Sequence, residues 1–173
     1  FSELPDIIAL AVNSDNDFGP WYSFAGKNRG LISNTLGVIN NFGSPAKFDD
    51  LNLLANNQIN MVVNRNNQNL LWGNFSGQLE NNQESQFSVA KLVVYLERSL
   101  KPVLENYLEE PNDIPTFKRI WYNVKPFLDN LVTARALFTY KWEGDQNASS
   151  LDDLEVNNKA DIQQGKYRIL FSI

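Results

Sequence analysis

Apolar residues recur at helical spacing twice in the second half of the chain. Between Phe87 and Glu109 they fall at Val89, Leu92, Val93, Leu96, Leu100, Val103, Leu104, Tyr107 and Leu108, the broad stripe of an amphipathic helix. Between Pro115 and Ala136 a second stripe runs through Phe117, Ile120, Trp121, Val124, Phe127, Leu128 and Leu131. Asn112 or Asp113 is placed to cap this helix, and Pro115 falls in its first turn, where a missing N–H costs little. Pro102 and Pro126 lie inside the two stripes and are expected to kink or break them.

The period then changes to two. Phe138, Tyr140 and Trp142 alternate with Leu137, Thr139 and Lys141, and Tyr167, Ile169, Phe171 and Ile173 alternate likewise. Both segments read as strands with one aromatic face, separated by the acidic stretch 143–161. Earlier in the chain, 4–12 reads as a helix ended by the polar run Asn13–Asp17, 31–39 as a strand, 41–45 as a turn and 48–57 as a short helix. Residues 58–64 and 69–75 read as strands around a hairpin loop at 65–68. Residues 77–86 are polar and are expected to be exposed. These elements predict an α+β fold, a small mixed or antiparallel sheet packed against two long helices.

The segment Trp21–Gly30, W-Y-S-F-A-G-K-N-R-G, follows neither period. Its two glycines permit backbone angles closed to other residues. Arg29 offers five donors in a fixed fork, suited to holding local carbonyls or a nearby acid. This composition predicts a built loop.

The 173 residues suffice for a single domain over 1–173. The chain starts at Phe1 and is read as a fragment of a longer protein. It contains neither cysteine nor histidine. Disulfide scaffolds, thiolate metal sites and imidazole catalysis are therefore excluded. With a net charge of −5 and no Lys/Arg cluster, nucleic acid is not an expected partner. No apolar run approaches the ~20 residues that span a bilayer, so no membrane insertion is expected.

Candidate chemistry is thin. Asn13, Asp15 and Asp17 alternate like the start of a calcium loop, but the glycine comes one position late, at Gly19, and Phe24 stands where the closing glutamate belongs. The acidic pairs Asp49-Asp50, Glu109-Glu110 and Asp152-Asp153 point apart as sequence neighbours, so surface charge explains them better than a glycosidase pair. No phosphate-binding glycine loop is present. The tryptophans at 21, 72, 121 and 142 could stack sugars, although core packing accounts for each. No catalytic, cofactor-binding or metal-binding residue is assigned, and no cofactor is expected.

Four segments in order carry a family resemblance. Trp21–Gly30 resembles the W-x-S-P-A-G-x-x-R-G segment of contractile tail sheath proteins, in their C-terminal domain. Gln58-Ile59-Asn60 with Leu70-Leu71-Trp72-Gly73 resembles the G-I-N … V-W-G pair of strands. Ser88–Leu100 resembles the helix that follows, and Glu110-Pro111-Asn112-Asp113 the F-E-P-N-D turn between helices. The motif residues Trp21, Ser23, Gly26, Asn28, Arg29, Gly30, Trp72, Gly73, Glu110, Pro111 and Asn112 are implied to be structural. Three departures stand out: Phe24 replaces a usual proline, Ala90-Lys91 a frequent Arg-Arg, and Asn57 stands where glycine is common before Ile-Asn.

The resemblance implies a non-enzymatic subunit of a phage tail in the virion, assembled in the host bacterial cytoplasm. Its implied partners are other sheath subunits in a helical array, the tail tube protein and the baseplate. Such a sheath contracts to drive the tube through the host envelope. Terminal arms, here expected to be missing, add strands to neighbouring subunits. A carbohydrate-binding phage or surface module is the alternative, with exposed, coplanar Trp72 and Trp142 as its signature. A carboxylate hydrolase is a third reading, and needs two acids facing each other across a cleft.

Overall fold

The computed structural model describes residues 4–35, 48–78, 82, 85–150, 153–164 and 166–172. In chain order the elements are α1 (Leu4–Asp17), α2 (Phe48–Asn56), β1 (Met61–Arg65), β2 (Gln68–Trp72), α3 (Phe87–Glu105), α4 (Ile114–Thr133), β3 (Lys141–Glu143), α5 (Lys159–Gln163) and β4 (Leu170–Ser172). The fold is α+β, and among the described residues the strands form two separate two-stranded antiparallel sheets, β1–β2 and β3–β4, in place of the one small sheet expected. The chain divides into two compact units, Phe1–Tyr95 and Leu96–Ile173, with the division inside α3.

In the first unit the β1–β2 hairpin lies between two apolar layers. Met61 pairs with Trp72 and Val63 with Leu70, and these side chains share one face with Leu51 and Leu54 of α2. Val62 and Leu71, also paired, point the other way, toward Phe24, Ile32 and the α1 residues Ile7, Leu10 and Ala11. The period-2 alternation of the strands thus serves two cores at once. The hairpin turn is tighter than the expected 65–68 loop. Asn66 and Asn67 alone close it, with φ of 53° and 61°, the two left-handed residues a type I′ turn requires.

Helix α1 runs five residues past its expected end. Ser14 is buried and Asp15 pairs with Lys91 of α3, so tertiary contacts hold the polar run helical. The helix stops at Gly19, whose φ of 106° suits glycine alone. This also removes the calcium-loop pattern, because Asn13, Asp15 and Asp17 are helical. Of the expected strand 31–39, Leu31 bridges Leu70, while 36–39 lie outside the described residues, as does the expected turn at 41–45. Within 77–86 the structure buries Ser85 and bridges Gln86 to Phe75, so that segment is not simply solvated.

In the second unit α4 buries Phe117, Ile120, Val124, Leu128 and Leu131 along one stripe. Asp113 caps it, accepting the Thr116 N–H at 2.9 Å. That bond chiefly holds the Asp113 carboxyl below its ordinary range. Neither Pro102 nor Pro126 breaks its helix. Both are exposed, where solvent serves the carbonyls they free.

The C-terminal strands are shorter than their alternation suggests. Trp142 opposes Phe171, and β3 begins only at Lys141. The reason is the end of α4: Arg135 N–H donates to the Val132 carbonyl and Ala136 N–H to the Leu131 carbonyl, with Arg135 left-handed at φ 60°. This Schellman closure turns the chain out, so Phe138 is 98% exposed instead of sharing a face with Trp142.

Candidate functional site: the Trp21–Gly30 loop and the turns around it

The loop is built onto β2 by backbone alone. Gly26 N–H donates to the Leu71 carbonyl at 2.8 Å, and Leu71 N–H donates to the Gly30 carbonyl at 2.7 Å. Gly30 N–H closes the loop on the Gly26 carbonyl, and Ile32 N–H continues to Asn69. The two glycines answer to different constraints. Gly26 has φ 89° with open space around its Cα, so it is needed for its backbone angle. At Gly30 a Cβ would lie 2.8 Å from Gly26 N, Gly26 O and Leu71 O, so it is needed for close approach.

Arg29 is turned inward on its own loop. Its Nε donates to the Ser23 carbonyl at 2.6 Å, and its guanidinium lies 5.4 Å and 5.1 Å from the Phe18 and Tyr22 ring centres. Ser23 Oγ accepts the Ala25 N–H. Trp21 packs edge-on against Tyr95, and its ring occupies the space above Gly19. Asn28 is exposed in the turn 27–29.

Two of the departures from the sheath pattern touch each other. Phe24 is buried and meets Phe87 edge to face at 5.4 Å. Lys91 Nζ lies 5.5 Å from the Phe24 ring and 5.6 Å from Phe87, and pairs with Asp15. Neither Lys91 nor Asp15 was distinguishable in the sequence as a partner of the loop, since 76 residues separate them.

At the far end of the hairpin, Gly73 has φ 112° and lies against Asn60. The Asn60 amide donates to the Phe75 carbonyl and accepts the Phe75 N–H, extending the ladder by a side chain. Trp72 is half-buried on the α2 cluster, with the Arg65 guanidinium 4.2 Å above its ring. In the second unit, Glu110 pairs with Arg119 at 2.8 Å, Pro111 accepts the Asp113 N–H, and the Asn112 amide donates to the Lys166 carbonyl at 3.0 Å. The structure thus gathers the Trp21–Gly30 motif and Gly73 around one hairpin, and places the Glu110–Asn112 turn at the cap of α4.

A polar node of the second unit had no sequence signal. Asp145, left-handed at φ 55°, accepts N–H bonds from Glu155, Val156 and Asn157 and from the Asn157 amide, at 2.7–3.0 Å. Asn157, 2% exposed, also exchanges bonds with the Arg168 backbone. Burial pushes the Asp145 carboxyl up, but its donors prevail and hold it below the ordinary range. Asp145 lines a cleft of about 410 Å³ with Glu143, Asp153 and Glu155. This gathering of acids lacks the character of a glycosidase pair. Asp145 spends its lone pairs on four donors and is lowered, whereas a general acid must be raised. Glu143 pairs with Lys141, and Asp153 accepts the Ser149 and Ser150 N–H groups. Among the described residues no cluster of three or more acids could hold a metal ion, and no helix is long and apolar enough to cross a membrane.

No protein-family model matches the chain. It is 26% identical over 140 residues to the tail sheath protein of Salmonella phage ViI, covering 80% of this chain and 22% of that protein. Its fold matches a chain of the anti-feeding prophage baseplate in the contracted state, with TM-score 0.78, 22% identity, and coverage of 99% of this chain and 43% of the other. It also matches the contracted helical sheath of the same particle, with TM-score 0.70, 20% identity, and coverage of 96% and 45%. The chain therefore spans about a fifth of the phage relative and under half of the solved chains. The motifs that suggested a sheath domain lie in the Trp21–Gly30 loop, the hairpin, α3 and the cap of α4, and likeness of sequence and likeness of fold point the same way: the chain is similar in sequence to a phage tail sheath protein and in fold to a contractile helical sheath.

Proposed function

We propose that this chain is a structural part of a contractile phage tail sheath, polymerising around the tail tube and contracting to drive it through the host envelope. The observation that carries this reading is the joint likeness, in sequence and fold, to a phage tail sheath protein and a contractile helical sheath. The β3–β4 sheet supports it. It has three residue pairs, and no further strand joins either outer edge among the described residues. Two strands alone are marginal in water, so these edges suit strands added by the arms of neighbouring subunits. The motif residues Trp21, Ser23, Gly26, Arg29, Gly30, Trp72, Gly73, Glu110, Pro111 and Asn112 keep the units rigid, as a machine that stores energy in subunit contacts requires. Its role is mechanical and uses no cofactor. The carbohydrate-binding alternative is not favoured, because Trp142 is buried at 6% exposure and Trp72 is capped by Arg65. Immunogold labelling of whole virions with antibodies against this chain tests the proposal. Labelling along the tail shaft is expected. Label confined to fibre tips or the capsid would overturn it, and label only at the baseplate would narrow the role to a baseplate ring.

A further inference from the structure

We propose that segments 155–164 and 166–172 form one strap that opens as a unit, with the Asp145 carboxylate as its latch, undone when it takes up a proton. The strap carries α5 and β4, yet among the described residues it buries no apolar side chain. Its buried members are Asn157 and Asp161, both polar. Tyr167, stacked on Phe117, and Phe171, against Trp142, are half-buried, and Leu170 is exposed. Polar bonds therefore do the fastening. Asp145, just after β3, accepts the N–H groups of Glu155, Val156 and Asn157 and the Asn157 amide at 2.7–3.0 Å. The Asn157 side chain in turn accepts the Arg168 N–H at 2.7 Å and donates to the Arg168 carbonyl at 3.0 Å, so the latch reaches the residue two before β4. Asp161 holds the Arg168 guanidinium at 2.8 Å, and the Asn112 amide holds the Lys166 carbonyl. A segment without its own apolar anchor in the core opens at a lower free energy than the α4 stripe beside it.

The charged groups around Asp145 leave the latch to its N–H donors. Lys141 and Glu143 of β3 line the same cleft, as do Asp153 and Glu155, and the Tyr167 hydroxyl donates to the neighbouring Gly144 carbonyl. Lys141 pairs with Glu143 and Arg168 with Asp161, so N–H groups and not a cation hold the Asp145 charge. Protonation removes the charge that strengthens all four bonds and turns an O–H toward donors. The latch is thus closed above the unfolded carboxylate value of ~3.9 and is lost as pH falls through the lowered folded value. On the assembly reading above, an open strap takes β4 away from β3, and with it the two-stranded sheet that would accept a neighbour's strand.

Amide hydrogen exchange of the 173-residue chain, read by mass spectrometry and corrected for the intrinsic pH dependence of exchange, tests this. In Asp145→Asn at pH 7, the amides of 155–157 and of 166–172 should exchange together about tenfold faster or more, while those of α4 do not change. The unsubstituted chain should show the same joint acceleration at about pH 3.5, which decides the matter even if Asp145→Asn does not fold. Asp153→Asn, at an exposed carboxylate of the same cleft, should accelerate neither segment. Acceleration of 155–157 without 166–172, equal acceleration in α4, or no acceleration would each overturn the inference. Exchange is read on the chain alone, so its failure leaves the sheath reading standing, and virion label away from the tail shaft leaves the strap standing.

Discussion

At the scale of single residues, backbone conformation decides which positions tolerate change. Gly30 sits where a Cβ would meet three backbone atoms at 2.8 Å, none at the end of a flexible side chain. Gln58 is the reverse case. It closes α2 in a Schellman motif, with its N–H on the Ala55 carbonyl and the Ile59 N–H on Leu54, and it has φ 56°. Glycine is the usual occupant of that position. Gly30→Ala is expected to destabilise by about 2–3 kcal/mol through overpacking. Gln58→Gly is expected to stabilise by about 0.5–1 kcal/mol, the relieved left-handed strain exceeding the added freedom of the unfolded chain. Chemical denaturation of both variants checks this pair of opposite signs. The left-handed turns at Asn66-Asn67 were within reach of the sequence, because asparagine favours that region. Gln58 and Arg135 were not, because nothing in their side chains announces it.

At the scale of elements, the loop, α1 and α3 form a coupled unit through Phe24, Asp15 and Lys91. Replacing the usual proline by Phe24 supplies an aromatic face, and Lys91 in place of an arginine rests near it while pairing with Asp15. The two changes thus lie in contact. In a double-mutant cycle of Phe24→Leu and Lys91→Met, a coupling of about 1 kcal/mol is expected, the magnitude of a largely desolvated cation–π contact. Additive losses would mean that Phe24 acts through burial alone. The long helices were legible because their stripes recur over five turns. The ends of α1, β3 and β4 were not, because ends are set by a capping residue or a distant partner. The alternation from Phe138 to Trp142 describes a potential strand; the chain leaves the Schellman closure of α4 at Ala136 turned outward, and pairing starts only at Lys141.

At the scale of the whole molecule, acid sensitivity is concentrated in the second unit. Asp145 has a lowered folded pKa, so its stabilisation is present above its unfolded value of ~3.9 and is lost as pH falls through the folded value. Stability followed by tryptophan fluorescence should be level from neutral pH to about 5 and drop below about 4. Asp145→Asn should lose about 2 kcal/mol at pH 7, since a buried charged acceptor is replaced by an amide whose NH₂ faces N–H donors. Its stability should then fall less with acid; an unchanged acid limb would assign the effect to other carboxylates.

Period and composition alone determined the α+β class, the two long helices, the hairpin and the absence of thiol and imidazole chemistry, because these follow from local spacing and residue type. The ordered motifs added the sheath resemblance. Tertiary structure alone decided that the strands form two sheets, that Gly26 and Gly30 clasp Leu71, that Lys91 meets Phe24, and that Asp145 gathers four donors. Each of these joins residues far apart in the chain or depends on a backbone angle, and one-dimensional periodicity carries neither.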